Sequence, residues 1–385
     1  MLKLADRFHA VRLASNDYQL LSLTESVRIK GSNGADGVLD LIFPLLRSGK
    51  SLKGILKRVG EGHRQATLDL VHDLEERGLI ERSRGRRDLF SAAEMDAYGE
   101  QVTFLSHFTP MGAAVPSIPQ TRSATAFALQ RRLRDATVLL VGLGRLGSRL
   151  AQALAAIGVG HIVGSDNGRV TARDLVSTPY TAAHLGAVRA LALQSQFAER
   201  NSLVQFAVAD ADATNNAPAL PANVDLVVLC EDVFDPIRYR DFNRLCLRQH
   251  VRWTSCRTLG FRIELGPTVL PHETACFRCY ELRKMGNTLI DTDQWPMTDR
   301  YDVDQRLGPI SLNATLGDQL MVVEVLKLLT GFSRPLTHGA VLTFELLSYE
   351  MRQHPVLRVP RCSDCGRAQQ GRPSINTWLL DETPD

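Results

Sequence analysis

The 385-residue chain lacks any apolar run long enough to cross a bilayer, so no transmembrane helix is expected. Its first ten residues, MLKLADRFHA, hold no apolar stretch followed by a small-residue cleavage site, which excludes a secretory signal. Charge of one sign is scarce too. The 45 Lys and Arg against 42 Asp and Glu leave a net charge of +3, too little by itself to argue for nucleic acid or a membrane surface. There is no internal repeat, and no histidine lies at ligand spacing beside the cysteines. These absences point to a cytoplasmic protein, where thiols stay reduced and cysteine pairs more often bind metal. Hydrophobic content of 44% and charged content of 23% are ordinary for a globular chain, and the length implies two domains.

The seven cysteines are Cys230, Cys246, Cys256, Cys276, Cys279, Cys362 and Cys365. A C-x-x-C pair can close a redox disulfide or supply half of a metal site. Here the spacing occurs twice, in ACFRCY and in PRCSDCGR. Two such knuckles in a reducing compartment read as four thiolates, Cys276, Cys279, Cys362 and Cys365, around one tetrahedral structural zinc. The metal would pin a late segment onto a distant one. Reduced, unligated thiols are the plainer alternative, and a catalytic redox pair would not need its duplicate.

Residues 137–170 open with the apolar run Val138–Val141, which reads as a buried parallel strand. It enters G-x-G-x-x-G, formed by Gly142, Gly144 and Gly147, and a helical stretch with Leu150, Leu154 and Ile157 on one face. A second strand, HIVGSD, ends on Asp166, roughly 20 residues after the glycines, as a nucleotide-binding fingerprint requires. A third apolar run, VDLVVLCEDVFD, ends on Glu231 and Asp232. The glycines let backbone approach phosphate, and Asp166 can accept from ribose hydroxyls. The alternation of strands and helices predicts a doubly wound, Rossmann-like α/β domain. At a strand's carboxyl end Asp232 faces the active cleft; its alternative role is a helix cap.

The first hundred residues form a different domain. DYQLLSL and ESVRIKG read as strands, the second alternating Val27 and Ile29 with Ser26, Arg28 and Lys30. Three helical segments follow, with Ser51 as an N-cap, Leu68, Val71 and Leu74 on one face, and Gly78 as a C′ residue. Strands plus three helices predict a winged helix-turn-helix. A DNA-binding role would set the third helix in a major groove and Arg82, Arg84, Arg86 and Arg87 on phosphates. That helix carries Asp69, Asp73, Glu75 and Glu76, which phosphate would repel, so nucleic acid is disfavoured as a partner. The Arg cluster then reads as a solvated turn. Domain boundaries are expected at 1–105 and 126–385, joined by an extended linker over 106–125 rich in Pro, Ala, Ser and Thr. The polar stretch 283–306 reads equally as a crossover segment over the cleft or as a surface loop.

The glycine motif, the acidic second strand, LCED and the two knuckles flanking LGDQLMVVEVLKLLTG resemble the ThiF-like branch of the ubiquitin-activating-enzyme superfamily, over roughly residues 125–366. Active members adenylate a carboxyl terminus with MgATP. The resemblance implies that Asp166 holds the ribose, that Asp232 handles Mg²⁺ and the adenylation step, and that Arg189 stands where the family has a phosphate-contacting lysine. Active members also carry S-N-L-x-R-Q; the matching segment here is ARDLVST, so Ser177 replaces the triphosphate arginine and Arg173 is out of register. Losing a bidentate guanidinium removes a phosphate clamp, so ATP/Mg²⁺ use is doubtful. The ending LLSYEMRQHPVLRVPRCSDCG resembles the ThiF-like partner proteins of thiazole/oxazole-modified peptide clusters, whose fold is often degenerate and works beside a YcaO cyclodehydratase. The chain stops at Asp385, so a YcaO partner would be a separate polypeptide.

The N-terminal pattern resembles the PqqD-like leader-peptide recognition domain, whose third helix ends in ERGLIE-like sequence. The resemblance implies that a precursor's leader adds as a strand beside Val27, Arg28 and Ile29 and packs on Leu68 and Val71. The expected function is leader binding and presentation to a YcaO enzyme for azoline or azole formation on a ribosomal peptide, in a homodimer. The alternative is a stand-alone adenylating enzyme acting on a peptide carboxylate; a transcription factor is a distant third.

Overall fold

The structure, a computed structural model, describes residues 1–385 apart from 6, 24, 32–36, 83–89, 109–117, 119–124, 210–219, 231, 233, 287–310 and 367–385. Glu231, Arg84, Arg86, Arg87 and most of the 283–306 stretch therefore lie outside the described residues. The chain divides into two compact units, Met1–Gly112 with Thr121–Gln130, and Ala113–Gln120 with Arg131–Asp385.

The first unit contains a three-stranded antiparallel sheet of β2 (His9–Ala14), β3 (Asp17–Leu21) and β4 (Ser26–Lys30), with β3 in the middle. Helices α1 (Val38–Ser48), α2 (Leu52–Val59) and α3 (Arg64–Glu76) follow where the periodicity predicts them. Strand β1 (Leu2–Leu4), which the sequence did not reveal, pairs antiparallel with β5 (Ile80–Arg82). Ser51 Oγ accepts from Gly54 N at 3.0 Å, capping α2 as its position implies. Gly78, at φ +64°, ends α3 in the left-handed conformation, and Leu79 N donates back to Leu74 O at 2.8 Å. The buried face of α3 runs through Thr67, Val71 and Leu74 rather than through Leu68, which stays half-exposed. Thr67 can sit inside because its hydroxyl donates to His63 O at 2.8 Å. Helix α4 (Ala92–Ser106) extends to the first residue of the expected linker, and Thr125 Oγ1 accepts from Ala128 N at the start of α5 (Ala126–Asp135).

In the second unit an eight-stranded mixed sheet carries the core. Its parallel part is β10 (Trp253–Leu259), β9 (Leu226–Leu229), β6 (Thr137–Val141), β7 (His161–Ser165) and β8 (Gln205–Val208), in that spatial order. An antiparallel extension, β11 (Arg262–Leu265), β12 (Ala340–Glu345) and β13 (Glu350–Pro355), continues from β10. Val138–Val141 and Leu226–Leu229 are fully buried, which explains their unbroken apolar runs: both faces of a parallel strand are covered. The helices are α6 (Arg145–Ala156), α7 (Arg189–Arg200), α8 (Pro236–Arg248), α9 (Phe277–Gly286) and α10 (Ser311–Thr330). Consecutive parallel strands run outward from β6 in both directions, so the chain reverses there and leaves a crevice beyond the carboxyl ends of β6, β7 and β9.

Candidate functional site

A cleft of about 430 Å³ opens at that crevice, lined among others by Gly142, Gly144, Ser165, Asp166, Asn167, Arg189, Asp232, Asp235 and Arg238. Two glycines of the motif have distinct steric reasons. A Cβ on Gly147 would fall 1.8 Å from Gly142 O, so helix α6 could not start so close to the end of β6. A Cβ on Gly144 would fall 2.3 Å from Asp232 Oδ2, so the carboxylate rests on bare backbone. Asp166 accepts from Leu143 N and from Gly168 N, both at 2.7 Å, which shapes the turns after β6 and β7.

Several charges of the cleft have partners within the chain. Asp232 accepts from Arg145 N at 3.1 Å and 3.3 Å, across the N-terminus of α6, with Arg145 Nε 3.5 Å away. Asp235 accepts from Ile237 N at 2.9 Å and Arg238 N at 3.3 Å, capping α8. Arg189 donates to Asp174 at 2.9 Å and 3.1 Å and to Asp166 at 3.4 Å. Burial would lower the Arg189 pKa, but Asp166 and Asp174 outweigh it and hold the guanidinium above its ordinary value. Tyr180, whose hydroxyl donates to Leu143 O at 2.8 Å, is pushed far up by burial and stays protonated.

The structure thus brings Gly142, Gly144, Asp166, Arg189 and Asp232 to one cleft, with Gly147 just behind it. Ser177 is buried and does not line the cleft; its carbonyl accepts from Arg149 Nη1 at 3.5 Å, while Arg149 Nε donates to the buried Asp318 at 2.7 Å. Arg173 is exposed. Sequence reasoning missed Asp174, Asp235, Arg149 and Asp318. Asp235 was findable, since Asp followed by Pro236 is a helix-start signal. Asp318 was not, because its partner lies 169 residues away.

The four knuckle cysteines converge. Cys276 and Cys279 lie 3.9 Å apart, Cys276 and Cys362 3.6 Å, and Cys279 and Cys365 3.5 Å, sulfur to sulfur. Tetrahedral zinc with bonds of about 2.3 Å requires sulfurs about 3.8 Å apart, so the cluster fits that ion. The surroundings of the cluster tie its two segments together. Val359 N donates to Cys279 Sγ at 3.3 Å, and Arg358 joins the knuckles by donating to His272 O at 3.0 Å and Cys365 O at 2.9 Å. Cys230, Cys246 and Cys256 are buried apart from this group, and burial pushes the Cys246 thiol up to about 12.

Among the described residues of the first unit β4 pairs with β3 alone, and its other side is an edge there. Val27 and Ile29 are half-buried against the core and Arg28 points outward, bonded to Asp17 at 2.7 Å and 3.1 Å. That guanidinium holds the Asp17 carboxyl below its ordinary range. Val71 is 3% exposed and belongs to the core, whereas Leu70 is the partly buried residue of α3 packed on the same cluster as Val27 and Ile29.

Comparison with known proteins follows this geometry. Protein HesA of Leptolyngbya boryana is 27% identical over 261 residues, 66% of this chain and 86% of HesA. The sulfur carrier protein ThiS adenylyltransferase of Escherichia coli is 26% identical over 243 residues, 62% of this chain and 88% of that protein. Among solved structures, the microcin C7 biosynthetic enzyme MccB in complex with N-formylated MccA shares the fold with a TM-score of 0.66 at 16% identity, covering 95% of this chain and 99% of that one. The heterocyclase TruD matches with a TM-score of 0.61 at 16% identity, covering 96% of this chain and 43% of TruD. Residues 118–365, the span holding cleft and cysteine cluster alike, match the ThiF family, and the chain belongs to it.

Proposed function

We propose that the chain is a non-adenylating member of its family. It would bind the leader of a ribosomally made precursor peptide and present it to a separate YcaO-type cyclodehydratase for azoline or azole formation. The peptide part of this reading is carried by the reach of the fold match: the likeness to MccB bound to N-formylated MccA spans 95% of this chain, well beyond the family's own span of 118–365. The first unit would then act as a PqqD-like winged-helix domain, taking the leader as a fourth strand beside Val27, Arg28 and Ile29. Backbone pairing supplies affinity there, and half-buried apolar residues supply specificity. The groove would rest on Leu68 and Leu70, since Val71 is consumed by the core.

The four cysteines would hold a structural zinc, and the assembly would be a homodimer in the cytoplasm. The internal neutralisation of Arg189 supports a cleft that does not clamp triphosphate. A stand-alone adenylating enzyme is the second reading; the adenylyltransferase relatives and the placement of Asp166 and Asp232 in one cleft favour it.

Fluorescence anisotropy of a labelled leader peptide against the full chain tests the proposal. Saturable binding should fall at least about tenfold with Arg28→Pro, which removes a strand donor, while metal content is unchanged. Binding indifferent to that substitution would place recognition elsewhere.

A further inference from the structure

We infer that Cys365 is a modification site for hydroperoxides, with Cys279 in the opposite knuckle as the thiol that captures its oxidised form. This rests on the reading of the four cysteines as a zinc site, and it names the reactive edge of that site. Of the seven thiols six are buried, and Cys365 alone is partly exposed. Two neighbours sharpen the difference. Gly366 folds so tightly onto the knuckle that a Cβ there would fall 2.5 Å from Cys362 O, so the residue next to Cys365 carries no side chain to shield it. Arg358 donates to Cys365 O at 2.9 Å, and a guanidinium beside a thiol favours the thiolate, the form that oxidants attack.

The two sulfurs also differ in hydrogen bonding. Val359 N donates to Cys279 Sγ at 3.3 Å and spreads its negative charge, whereas among the described hydrogen bonds no backbone N–H ends on Cys365 Sγ. A thiolate that is both reachable and unshielded reacts first. Cys365 Sγ attacks the hydroperoxide: an S–O bond forms, the O–O bond breaks, and the departing oxygen takes a proton from solvent. The sulfenic acid then meets Cys279 Sγ, 3.5 Å away. That thiolate attacks the oxidised sulfur, an S–S bond forms, and hydroxide leaves with a second solvent proton as water. Each sulfur gives up one electron, and the peroxide gains the two. The product joins the same two segments that the cluster joins. The late segment therefore stays pinned while the metal site gives up two of its four ligands.

Peptide mapping of the full chain, as purified and after stepwise hydrogen peroxide, tests this. Trypsin cleaves after Arg278 and an Asp-directed protease before Asp364, so the four cysteines fall on separate peptides. A Cys279–Cys365 disulfide should form first and exceed any other link by about tenfold, with zinc released in step. In Cys279→Ser the sulfenic acid loses that partner, and dimedone should label Cys365 about tenfold over Cys276 and Cys362. If this variant does not fold, the map of the unsubstituted chain decides. A first link of Cys276 to Cys362 or within one knuckle, dimedone on another cysteine, or thiols untouched by excess peroxide would overturn the inference. Zinc missing before treatment would refute the zinc reading alone, because the order of pairing still decides this one.

Discussion

Asn243 joins the two cysteine knuckles: its amide donates to Asp364 Oδ2 at 2.8 Å and its oxygen accepts from Phe277 N at 3.0 Å. A side chain of α8 therefore sets the spacing of two segments far apart in sequence. Asp364 is almost wholly buried and also receives Arg244 at 3.3 Å, so its charge is compensated. In the proposed zinc site Asn243→Leu should leave all four thiolates in place yet weaken the metal by about 10–100-fold, as loss of outer partners does. Chelator competition reads that loss. Cys362→Ser should lower zinc content below one per chain and lower the melting temperature, and a full complement of zinc in that variant would remove Cys362 from the ligand set.

Arg257 and Glu264 form a buried ion pair between β10 and β11, with Nε to Oε2 at 2.7 Å, Tyr280 OH at 3.1 Å and the guanidinium 4.2 Å from the Phe234 ring. Glu264→Gln should cost about 3–5 kcal/mol, because it strands a buried charge, and Arg257→Met in the same chain should restore much of it. Burial alone would raise the Glu264 pKa, but Arg257 holds it below the ordinary carboxylate value. The pair's contribution is then fully present above the unfolded value, about 4.3, and is lost as pH falls through the lower folded value. Urea unfolding across that acid range should show a slope that Glu264→Gln flattens.

The motif glycines should differ in tolerance. Gly147→Ala drives a Cβ into Gly142 O, a backbone atom, and should destabilise the chain by about 3 kcal/mol or more. Gly144→Ala first meets the Asp232 side chain, which can turn away, so a smaller loss is expected. Equal urea midpoints for the two variants would refute the distinction.

Pyrophosphate exchange into ATP by the chain alone should stay at background, even with peptide present. Exchange that depends on peptide and vanishes in Asp232→Ala would establish the adenylating reading instead.

Local signals carried far in the sequence. Runs buried on both faces gave β6 and β9, Ser51 and Gly78 marked helix ends, and the knuckle spacing led to the cysteine cluster. What escaped was non-local or unpatterned. Strand β1 is three residues long and pairs with β5, whose residues lie 76 to 80 positions on. Strand β13 is exposed on both faces and shows no alternation to read. The α3 face was misjudged by one position, since Thr67 looks polar until its hydroxyl finds His63 O. The pairing of Arg189 with Asp174 was likewise hidden, since that carboxylate is indistinguishable in sequence from a surface charge.

The joined knuckles also impose an order on the chain's birth. Cys276 and Cys362 are separated by 86 residues, and that interval contains α10 and the β12–β13 hairpin. At ribosomal rates of about 5–20 residues per second, the first pair waits roughly 4–17 s for its counterpart to emerge. During that interval two thiols stand half-assembled beside a sheet still lacking its antiparallel extension. Strand β11, which ends the sheet until β12 arrives, would be open to pairing with another nascent chain. Translation speed across this stretch, and metal supply while it lasts, would then govern how much of the protein reaches its native state.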